Sequence, residues 1–229
     1  MKGIVLVSGG MDSLVSAAIA DQECDELYFL HAHYGQPTES KERECFVKIS
    51  AHYKALDILS VNLQYLTTIG GSSLTDENME IPDHNGSDEV PSTYVPFRNA
   101  NLLGVAVSWA EVIGAQRIYI GAVEEDSSGY PDCRLSFYEA YQKAVDLGTK
   151  DETHIEIRTP VINMNKQQII RKALELKAPL EYSWSCYRRE DKACGTCDSC
   201  VLRINAFKKA GIADPIEYAI NIDWNNNED

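Results

Sequence analysis

The chain has 229 residues, 44% of them hydrophobic, and its 21 Lys and Arg against 35 Asp and Glu give a formal net charge of −14. This length suits one α/β domain with an appended module, and the acidic balance argues against long contacts with a nucleic-acid backbone, which need many basic side chains. The first apolar run is short, no later stretch has the length needed to span a bilayer, and seven cysteines suit a reducing compartment. We therefore expect a cytoplasmic protein that acts on small molecules, without direct membrane or nucleic-acid contact.

The sequence Ser-Gly-Gly-Met-Asp-Ser at positions 8–13 follows the apolar run 4–7 and precedes an apolar helical pattern. Two adjacent glycines let the backbone turn tightly and bring several N–H groups towards an anion, and the helix that follows adds the positive end of its dipole. This arrangement predicts a phosphate-binding loop. The alternative is an ordinary strand-to-helix turn in which Asp12 or Ser13 only caps the helix. The Walker pattern Gly-x-x-x-x-Gly-Lys-Ser/Thr does not occur in the sequence.

Strand-like runs alternate with helical patterns along the chain, at residues 3–7, 27–33, 57–63, 117–121 and 154–159. Because alternating strands and helices pack as a parallel sheet with helices on both faces, we predict a doubly wound, five-stranded α/β fold. We expect residues 1–178 to form this nucleotide-binding domain. Residues 179–229 are expected to form a helical, metal-binding module packed on it.

Two helical patterns and one long polar segment differ from routine elements. The helix predicted from about residue 99 to 113 has almost no polar face and is expected to be buried, with a subunit interface as one way to bury it. Residues 166–177 form an ordinary amphipathic pattern. The Gly-, Ser-, Asp- and Asn-rich segment 67–92 is too long for a routine connection, so we predict an active-site lid, with disorder as the alternative. The polar tail 225–229 is expected to fray.

Four cysteines are crowded near the C-terminus, at positions Cys186, Cys194, Cys197 and Cys200, with seven, two and two residues between them. Four thiolates at such spacing favour a zinc ion, and a site filled by four protein sulfurs has a structural rather than a catalytic role. A redox pair at Cys194 and Cys197 or an iron–sulfur cluster are the alternatives. The zinc would fix the 182–200 loop to a helix that begins near Cys197.

Charged residues recur where strand ends meet helix starts. Arg98 and Asn99 begin the apolar helix, a Gly-Tyr-Pro-Asp-Cys-Arg sequence spans 129–134, and Lys166 begins the amphipathic helix. An arginine at such a place can neutralise a carboxylate or phosphate, an aspartate can accept from a heterocycle, and a lysine can stabilise charge on transferring phosphates. Loop-bracing ion pairs and an exposed helix lysine are the alternatives.

These motifs together resemble the 7-cyano-7-deazaguanine synthase family, within the PP-loop ATP pyrophosphatases. The resemblance includes the loop at 8–13, Tyr-Gly-Gln at 34–36, Ser-Gly-Tyr-Pro-Asp-Cys-Arg at 128–134, Trp-Ser-Cys-Tyr at 184–187 and the cysteine array, and it extends over nearly the whole chain. It implies an adenine nucleotide alpha hydrolase-like, Rossmann-like fold. It also implies a homodimer and ATP-dependent conversion of 7-carboxy-7-deazaguanine and ammonia to the nitrile precursor of queuosine. The family often has glycine where this chain has Phe97.

The resemblance also implies roles for individual residues. ATP would be bound by Val7, Ser8, Gly9, Gly10, Met11, Asp12, Ser13, Leu14, Val15, Ser16 and Ala17, with Asp12 helping to place magnesium. Lys166 and Arg98 would offset charge as pyrophosphate leaves. The deazaguanine would be bound by Arg98, Asn99, Tyr130, Asp132 and Arg134, with Asp132 accepting from its N–H donors. A structural zinc would be bound by the four cysteines.

Two other function classes remain open at this point. Another PP-loop adenylating enzyme, such as a tRNA thiolase or an amidotransferase, would use the same phosphate loop, although the acidic composition argues against tRNA as a substrate. A non-catalytic zinc- and nucleotide-binding module would bind nucleotide without releasing AMP.

Overall fold

The computed structural model describes residues 1–76, 78–83, 90–124 and 129–224. Five parallel strands form one sheet in the order β3-β2-β1-β4-β5. The predicted doubly wound sheet is confirmed, and the predicted strand bounds differ from the observed ones by no more than two residues. The strands are β1 (Lys2–Leu6), β2 (Glu26–His33), β3 (Asp57–Asn62), β4 (Arg117–Ile120) and β5 (Glu156–Arg158).

Helices cover both faces of this sheet. They are α1 (Met11–Glu23), α2 (Glu39–His52), α3 (Tyr65–Ile69), α4 (Arg98–Ile113), α5 (Leu135–Gly148), α6 (Lys166–Glu175) and α7 (Asp198–Ala210). One buried cluster joins α1, α2, α6 and α7 to one face, through Leu14, Phe46, Ile169 and Phe207. A second joins α4 and α5 to the other face, through residues such as Leu103 and Tyr138.

The strand order changes direction at β1. From β1 the chain builds outwards through β2 and β3, and then returns to place β4 on the other side of β1. In open α/β sheets, ligands bind beside the carboxyl ends of the strands at such a switch point. The loop at 8–13 and the turn after β4 both lie there, so the topology alone positions the expected phosphate site.

Helix α4 is less buried than its sequence predicts. Leu103, Ala106 and Ala110 pack against the sheet and are fully buried, but Val112 on the other side is 83% exposed. The predicted burial is therefore found on one side of the helix in the single chain, and burial of the other side at a subunit interface stays a prediction. The apolar pattern does not distinguish a core face from an exposed one, because both carry aliphatic side chains.

The C-terminal residues share the main core. Ala206 and Phe207 of α7 belong to the same buried cluster as α1 and α6. Arg203 is fully buried and donates from Nε and Nη2 to the Asp214 carboxylate at 2.6 and 2.9 Å, while Tyr218 donates to the same carboxylate at 2.7 Å. This network ties the segment after α7 to the helix. In the described ranges, no helix is long and apolar enough to cross a bilayer.

The described parts of the 67–92 segment pack on the protein. Ser72, Ser73 and Leu74 are buried, and the Ser73 N–H donates to the Ser92 carbonyl at 2.8 Å. Asp83 forms an isolated antiparallel bridge with Cys197. Residues 77 and 84–89 of the predicted lid, Ser128 of the quoted motif and the tail 225–229 lie outside the described residues.

Candidate active site

The loop at 8–13 forms one wall of a cavity at the switch point. Gly9 has φ +88°, a conformation that favours glycine, and a Cβ there would lie 2.9 Å from the Glu42 carbonyl oxygen. Ser13 Oγ donates to the Gly10 carbonyl at 2.9 Å, and the Gly10 N–H donates to Ser8 Oγ at 3.3 Å. The loop is therefore a tight turn closed on itself, with α1 starting directly behind it.

The resemblance assigns residues 7–17 to ATP binding. Only the first part of this segment lines the cavity. Residues 7, 8 and 10–13 line it, whereas Leu14, Val15, Ser16 and Ala17 are fully buried in the core. The predicted ATP segment is thus longer than its cavity-facing part, because α1 turns its next residues towards the sheet. Gly121 at the end of β4 also lines the cavity, and a Cβ there would lie 2.6 Å from the Ser13 backbone nitrogen.

Lys166 and Asp12 meet inside this cavity although 154 positions separate them. Lys166 Nζ lies 2.7 Å from Asp12 Oδ2, and their side chains are 16% and 26% exposed. Asn165 caps the first turn of α6 through a reciprocal pair of hydrogen bonds with Gln168, which fixes the start of that helix. Lys166 is therefore not an ordinary exposed helix lysine. We call Ser8, Gly10, Asp12, Ser13 and Lys166 the phosphate cluster.

A second group of cavity residues combines aromatic and charged side chains from distant parts of the chain. Arg98 donates from Nη1 to the Tyr34 hydroxyl at 2.8 Å, and its guanidinium carbon lies 5.7 Å from the centre of the Tyr34 ring. Tyr130 is held by a 2.8 Å hydrogen bond between its hydroxyl and Thr93 Oγ1. The nearby Tyr130 and burial raise the pKa of Tyr187 well above its usual value, so Tyr187 stays protonated.

Glu42 on α2 completes this second group. Its Oε2 accepts from Gln36 Nε2 at 2.8 Å, and its Oε1 accepts from Thr38 Oγ1 at 3.0 Å. Burial raises the pKa of Glu42 and outweighs the two hydrogen bonds, which act in the opposite direction. We call Tyr34, Glu42, Arg98, Tyr130 and Tyr187 the tyrosine cluster. All five line the same cavity as the phosphate cluster.

The residues predicted to bind the deazaguanine fall on both sides of the cavity wall. Arg98, Asn99 and Tyr130 line the cavity. Asp132 is 3% exposed, and its Oδ2 accepts from the Asn99 N–H at 2.9 Å, so it braces the start of α4 behind the wall. Arg134 is exposed at the start of α5 and does not line the cavity. Among the described residues, Asp132 and Arg134 are therefore not part of the cavity lining.

The four predicted cysteines converge as expected. One ligand atom from each of Cys186, Cys194, Cys197 and Cys200 lies within 4.8 Å of all the others. The backbone N–H groups of Arg188 and Cys194 donate to Cys186 Sγ at 3.4 and 3.3 Å. Tetrahedral sulfur sites of this composition hold zinc or iron, and N–H donors around the sulfurs support the charge of metal-bound thiolates.

This cysteine cluster is joined directly to the cavity. Cys186 lines the cavity together with its neighbours Trp184 and Tyr187, and the Trp184 N–H donates to the Gly9 carbonyl at 2.8 Å. Arg188, just beyond, donates to the Ile81 carbonyl and to the Asp83 carboxylate. A metal held here would therefore fix the loop that supports the phosphate-binding turn.

Sequence reasoning missed Thr38 and Glu42, and gave Tyr34, Gln36 and Tyr187 no role beyond their part in the family motifs. Three glutamates lie within the first two turns of α2, and no pattern marks Glu42 among them. Its distinguishing feature is the rotation of α2, which turns it towards Gln36 and the cavity.

Comparisons with known proteins agree with this geometry. The family model described as "Queuosine biosynthesis protein QueC" matches residues 2–211. Proteins named 7-cyano-7-deazaguanine synthase are similar: one from Chlorobium phaeobacteroides is 57% identical over 98% of this chain and 100% of its own length, and one from Chloroherpeton thalassium is 56% identical over 96% and 98%.

Solved structures resemble the chain only distantly. A 4-thiouridine synthetase in complex with RNA and ATP aligns over 77% of this chain and 41% of that chain, with a TM-score of 0.49 and 18% identity. The family model covers most of the chain, and the named relatives align over nearly their full lengths. The chain therefore belongs to the queuosine biosynthesis QueC family.

Proposed function

We propose that this protein converts 7-carboxy-7-deazaguanine, ammonia and ATP into 7-cyano-7-deazaguanine, a precursor of queuosine. The observation that carries this proposal is that one cavity contains both a phosphate-binding turn and a cluster of aromatic and charged side chains suited to a heterocycle. Relatives named for this reaction, at 54–57% identity, support it. A nucleotide and a planar base can thus meet within one cavity.

The chemistry requires two activations. A carboxylate oxygen attacks the α-phosphorus of ATP, pyrophosphate leaves, and ammonia then attacks the acyl carbon, loses a proton and expels AMP to give the amide. The amide oxygen attacks a second ATP in the same way. Loss of AMP and of the remaining N–H protons then forms the nitrile. Each AMP leaves with one oxygen of the original carboxylate, so both oxygens are removed without an oxidant or reductant.

The phosphate cluster would hold the nucleotide for both steps. Backbone N–H groups of the turn and the start of α1 face the phosphates, and the helix dipole favours their negative charge. Lys166 supplies a positive charge next to the leaving pyrophosphate, in a cavity where water screens it weakly. Asp12 fixes the position of Lys166 through their ion pair.

Magnesium is the cation that this site fits. Asp12 Oδ1 is buried and has no hydrogen-bond partner, and an unpaired carboxylate oxygen beside bound phosphates is the kind of ligand magnesium prefers. Asp12 would hold the ion, which would neutralise charge on the phosphate oxygens when bound.

Zinc would have a structural role. Cys186, Cys194, Cys197 and Cys200 would fill all four positions of a tetrahedral site and fix the 182–200 loop to the start of α7. The described cysteines are free thiols, which suits the reducing cytoplasm where we propose that the protein works.

The tyrosine cluster would hold the deazaguanine. Arg98 provides a permanent cation for an oxygen of the substrate, and Asn99 and Tyr130 line the same wall. Lys166 would therefore stabilise negative charge on the phosphates, and Arg98 would stabilise negative charge on the substrate. Asp132 would act on substrate indirectly, by holding the N-terminus of α4 where Arg98 and Asn99 begin.

We also propose a homodimer formed through the exposed apolar side chains at the ends of α4 and α5. Val112 and Leu147 are 83% and 88% exposed. Glu111 Oε1 accepts from the Lys150 N–H at 3.0 Å and joins these two helix ends into one surface. Burial of that surface would complete the shielding that the sequence of α4 predicts. Light scattering of the wild type and of Val112→Asp tests this, with a dimer expected for the first and a monomer for the second.

Incubation of the protein with 7-carboxy-7-deazaguanine, ammonium, magnesium and ATP tests the proposed reaction. Mass spectrometry should detect the amide, the nitrile and AMP. Absence of both amide and nitrile would refute the proposal. ATP cleavage stimulated by tRNA would instead support a thiolase, and nucleotide binding without AMP release would support a non-catalytic module.

A further inference from the structure

We propose that Glu42 determines base specificity by accepting from the N1–H and the exocyclic amino group of the deazaguanine, while Arg98 donates to the neighbouring carbonyl oxygen. The inference rests on the proposed function, because it assigns the residues that recognise that substrate. It replaces the expectation that Asp132 accepts from these donors.

The position of Glu42 is fixed by neutral donors on both of its oxygens. Gln36 Nε2 donates to Oε2 at 2.8 Å and Thr38 Oγ1 donates to Oε1 at 3.0 Å. Gln36 is itself held, because its Oε1 accepts from the Tyr34 N–H at 2.9 Å, and both Gln36 and Thr38 are buried. The carboxylate is therefore held in one orientation before any ligand binds.

Each oxygen of Glu42 keeps capacity for another donor. An ionised carboxylate has about four acceptor positions, and the two neutral donors occupy one on each oxygen. Within the described ranges, no Lys, Arg or His nitrogen lies within 4.0 Å of this carboxylate. A carboxylate in a cavity with one open position on each oxygen matches a ligand with two adjacent N–H donors, and hydrogen bonds from such donors favour its ionised form.

The remaining members of the tyrosine cluster fit the rest of a guanine-type edge. That edge presents one acceptor oxygen next to two N–H donors, whereas an adenine-type edge presents an amino donor next to an acceptor nitrogen. Arg98 supplies the donor and Glu42 the acceptors, and both line the cavity beside Tyr34, Tyr130 and Tyr187. Aromatic walls of this kind suit a flat heterocycle.

The competing role for Glu42 is that of the base which takes a proton from ammonia. A base acts during turnover and leaves binding of the heterocycle unchanged, whereas a specificity residue acts before any chemistry. The two roles therefore separate in a binding measurement made without ATP or ammonium.

The variant Glu42→Gln keeps the shape of the side chain and replaces one acceptor oxygen by an amide donor. Binding of 7-deazaguanine, measured by calorimetry without ATP, should weaken on the order of 100-fold, because a bidentate pair to a base edge contributes about 1–3 kcal/mol of discrimination. The preference for 7-deazaguanine over 7-deazaadenine should collapse by a similar factor. ATP binding should change less than about 2-fold, since the phosphate cluster is intact.

Glu39→Gln is the matched control on the same helix. Glu39 contacts His33 and the Gly35 N–H outside the cavity, so its variant should bind 7-deazaguanine as the wild type does. If Glu42→Gln does not fold by circular dichroism, Thr38→Val removes one of the two anchors. It should weaken binding by roughly 5- to 10-fold, the value of one typical intramolecular hydrogen bond, because the variant loosens the carboxylate without removing it.

The inference is overturned if folded Glu42→Gln binds 7-deazaguanine within about 3-fold of the wild type, less than one lost hydrogen bond to a charged group. It is also overturned if kcat falls and the KM for ammonium rises while the KM for 7-carboxy-7-deazaguanine is unchanged, which assigns the base role. If the wild type converts 7-carboxy-7-deazaguanine and Glu42→Gln binds 7-deazaguanine normally, only the proposed role of Glu42 is refuted. If the wild type neither binds nor converts 7-carboxy-7-deazaguanine, the proposed function is refuted as well.

Discussion

The phosphate cluster and the tyrosine cluster share one cavity but are built in opposite ways. Four of the five phosphate residues lie within the contiguous stretch 8–13, and Lys166 joins them from α6. The tyrosine cluster takes its five residues from five separate places between Tyr34 and Tyr187. A contiguous site is specified by local backbone geometry, whereas a dispersed site depends on how the whole sheet, α2 and the cysteine loop pack together.

Lys166→Met should produce the largest difference between the functions of the two clusters, namely AMP formation and binding of 7-deazaguanine. The change removes the charge that we propose to lie beside the departing pyrophosphate, so AMP formation should fall on the order of 10²- to 10³-fold. Binding of 7-deazaguanine by calorimetry should stay within about 2-fold of the wild type, because the tyrosine cluster is untouched.

Lys172→Met provides the control for that measurement. Lys172 lies on the same helix and pairs with Glu175 at the surface. This variant should keep full AMP formation. Equal loss of AMP formation and of 7-deazaguanine binding in Lys166→Met would contradict the division of the cavity into two clusters.

A metal held by the four cysteines would support the loop that joins both clusters, so Cys197→Ser should act mainly on stability. Loss of one of four metal ligands should lower Tm by about 10 °C, which corresponds to roughly 3 kcal/mol for a chain of this size. Metal content should fall in parallel, and the remaining folded enzyme should keep most of its turnover at low temperature.

Cys24→Ser, outside the cysteine cluster, should keep its metal. Metal analysis and differential scanning calorimetry on the two variants measure the difference. A Cys197→Ser protein that is fully folded but inactive would show that the metal takes part in the chemistry.

Cys133 lines the cavity but should contribute little to turnover. Burial, followed by the charge of Asp132, raises the pKa of its thiol to about 11. At pH 8 only about one molecule in a thousand then carries a thiolate, so Cys133 is a poor nucleophile. Cys133→Ser should keep kcat within about 3-fold, because the hydroxyl retains the contact with Asn99. Rapid alkylation of Cys133 by iodoacetamide at pH 8, found by peptide mass spectrometry, would contradict this.

Phe97→Gly should have the smallest effect. Phe97 has φ +57° at the start of α4, a left-handed conformation that glycine adopts without strain. Relief of strain is offset by loss of the contact with Phe137, so urea unfolding should give a change below about 1 kcal/mol in either direction. A larger destabilisation would mean that the Phe97 ring is part of the fold.

The difference between the clusters also explains what the sequence could predict. The strands, the turn at 8–13 and the convergence of Cys186, Cys194, Cys197 and Cys200 follow from short-range patterns, since each needs only periodicity or close spacing. Glu42 could not be found in this way, because its neighbours Glu39 and Glu44 have the same chemistry and only the rotation of α2 separates them. Asp132 was predicted to contact ligand, and its motif does not reveal that the side chain is buried with Oδ2 accepting from the Asn99 N–H.

The most direct test of the account follows both oxygens of the substrate. 7-Carboxy-7-deazaguanine labelled with ¹⁸O in both carboxylate positions should yield one nitrile and two molecules of AMP, each carrying one ¹⁸O atom, because the acid and then the amide are activated at the same α-phosphorus position. Mass spectrometry of the AMP pool reads this result. Label that appears in water or pyrophosphate, or nitrile formed with unlabelled AMP, would contradict activation by the phosphate cluster.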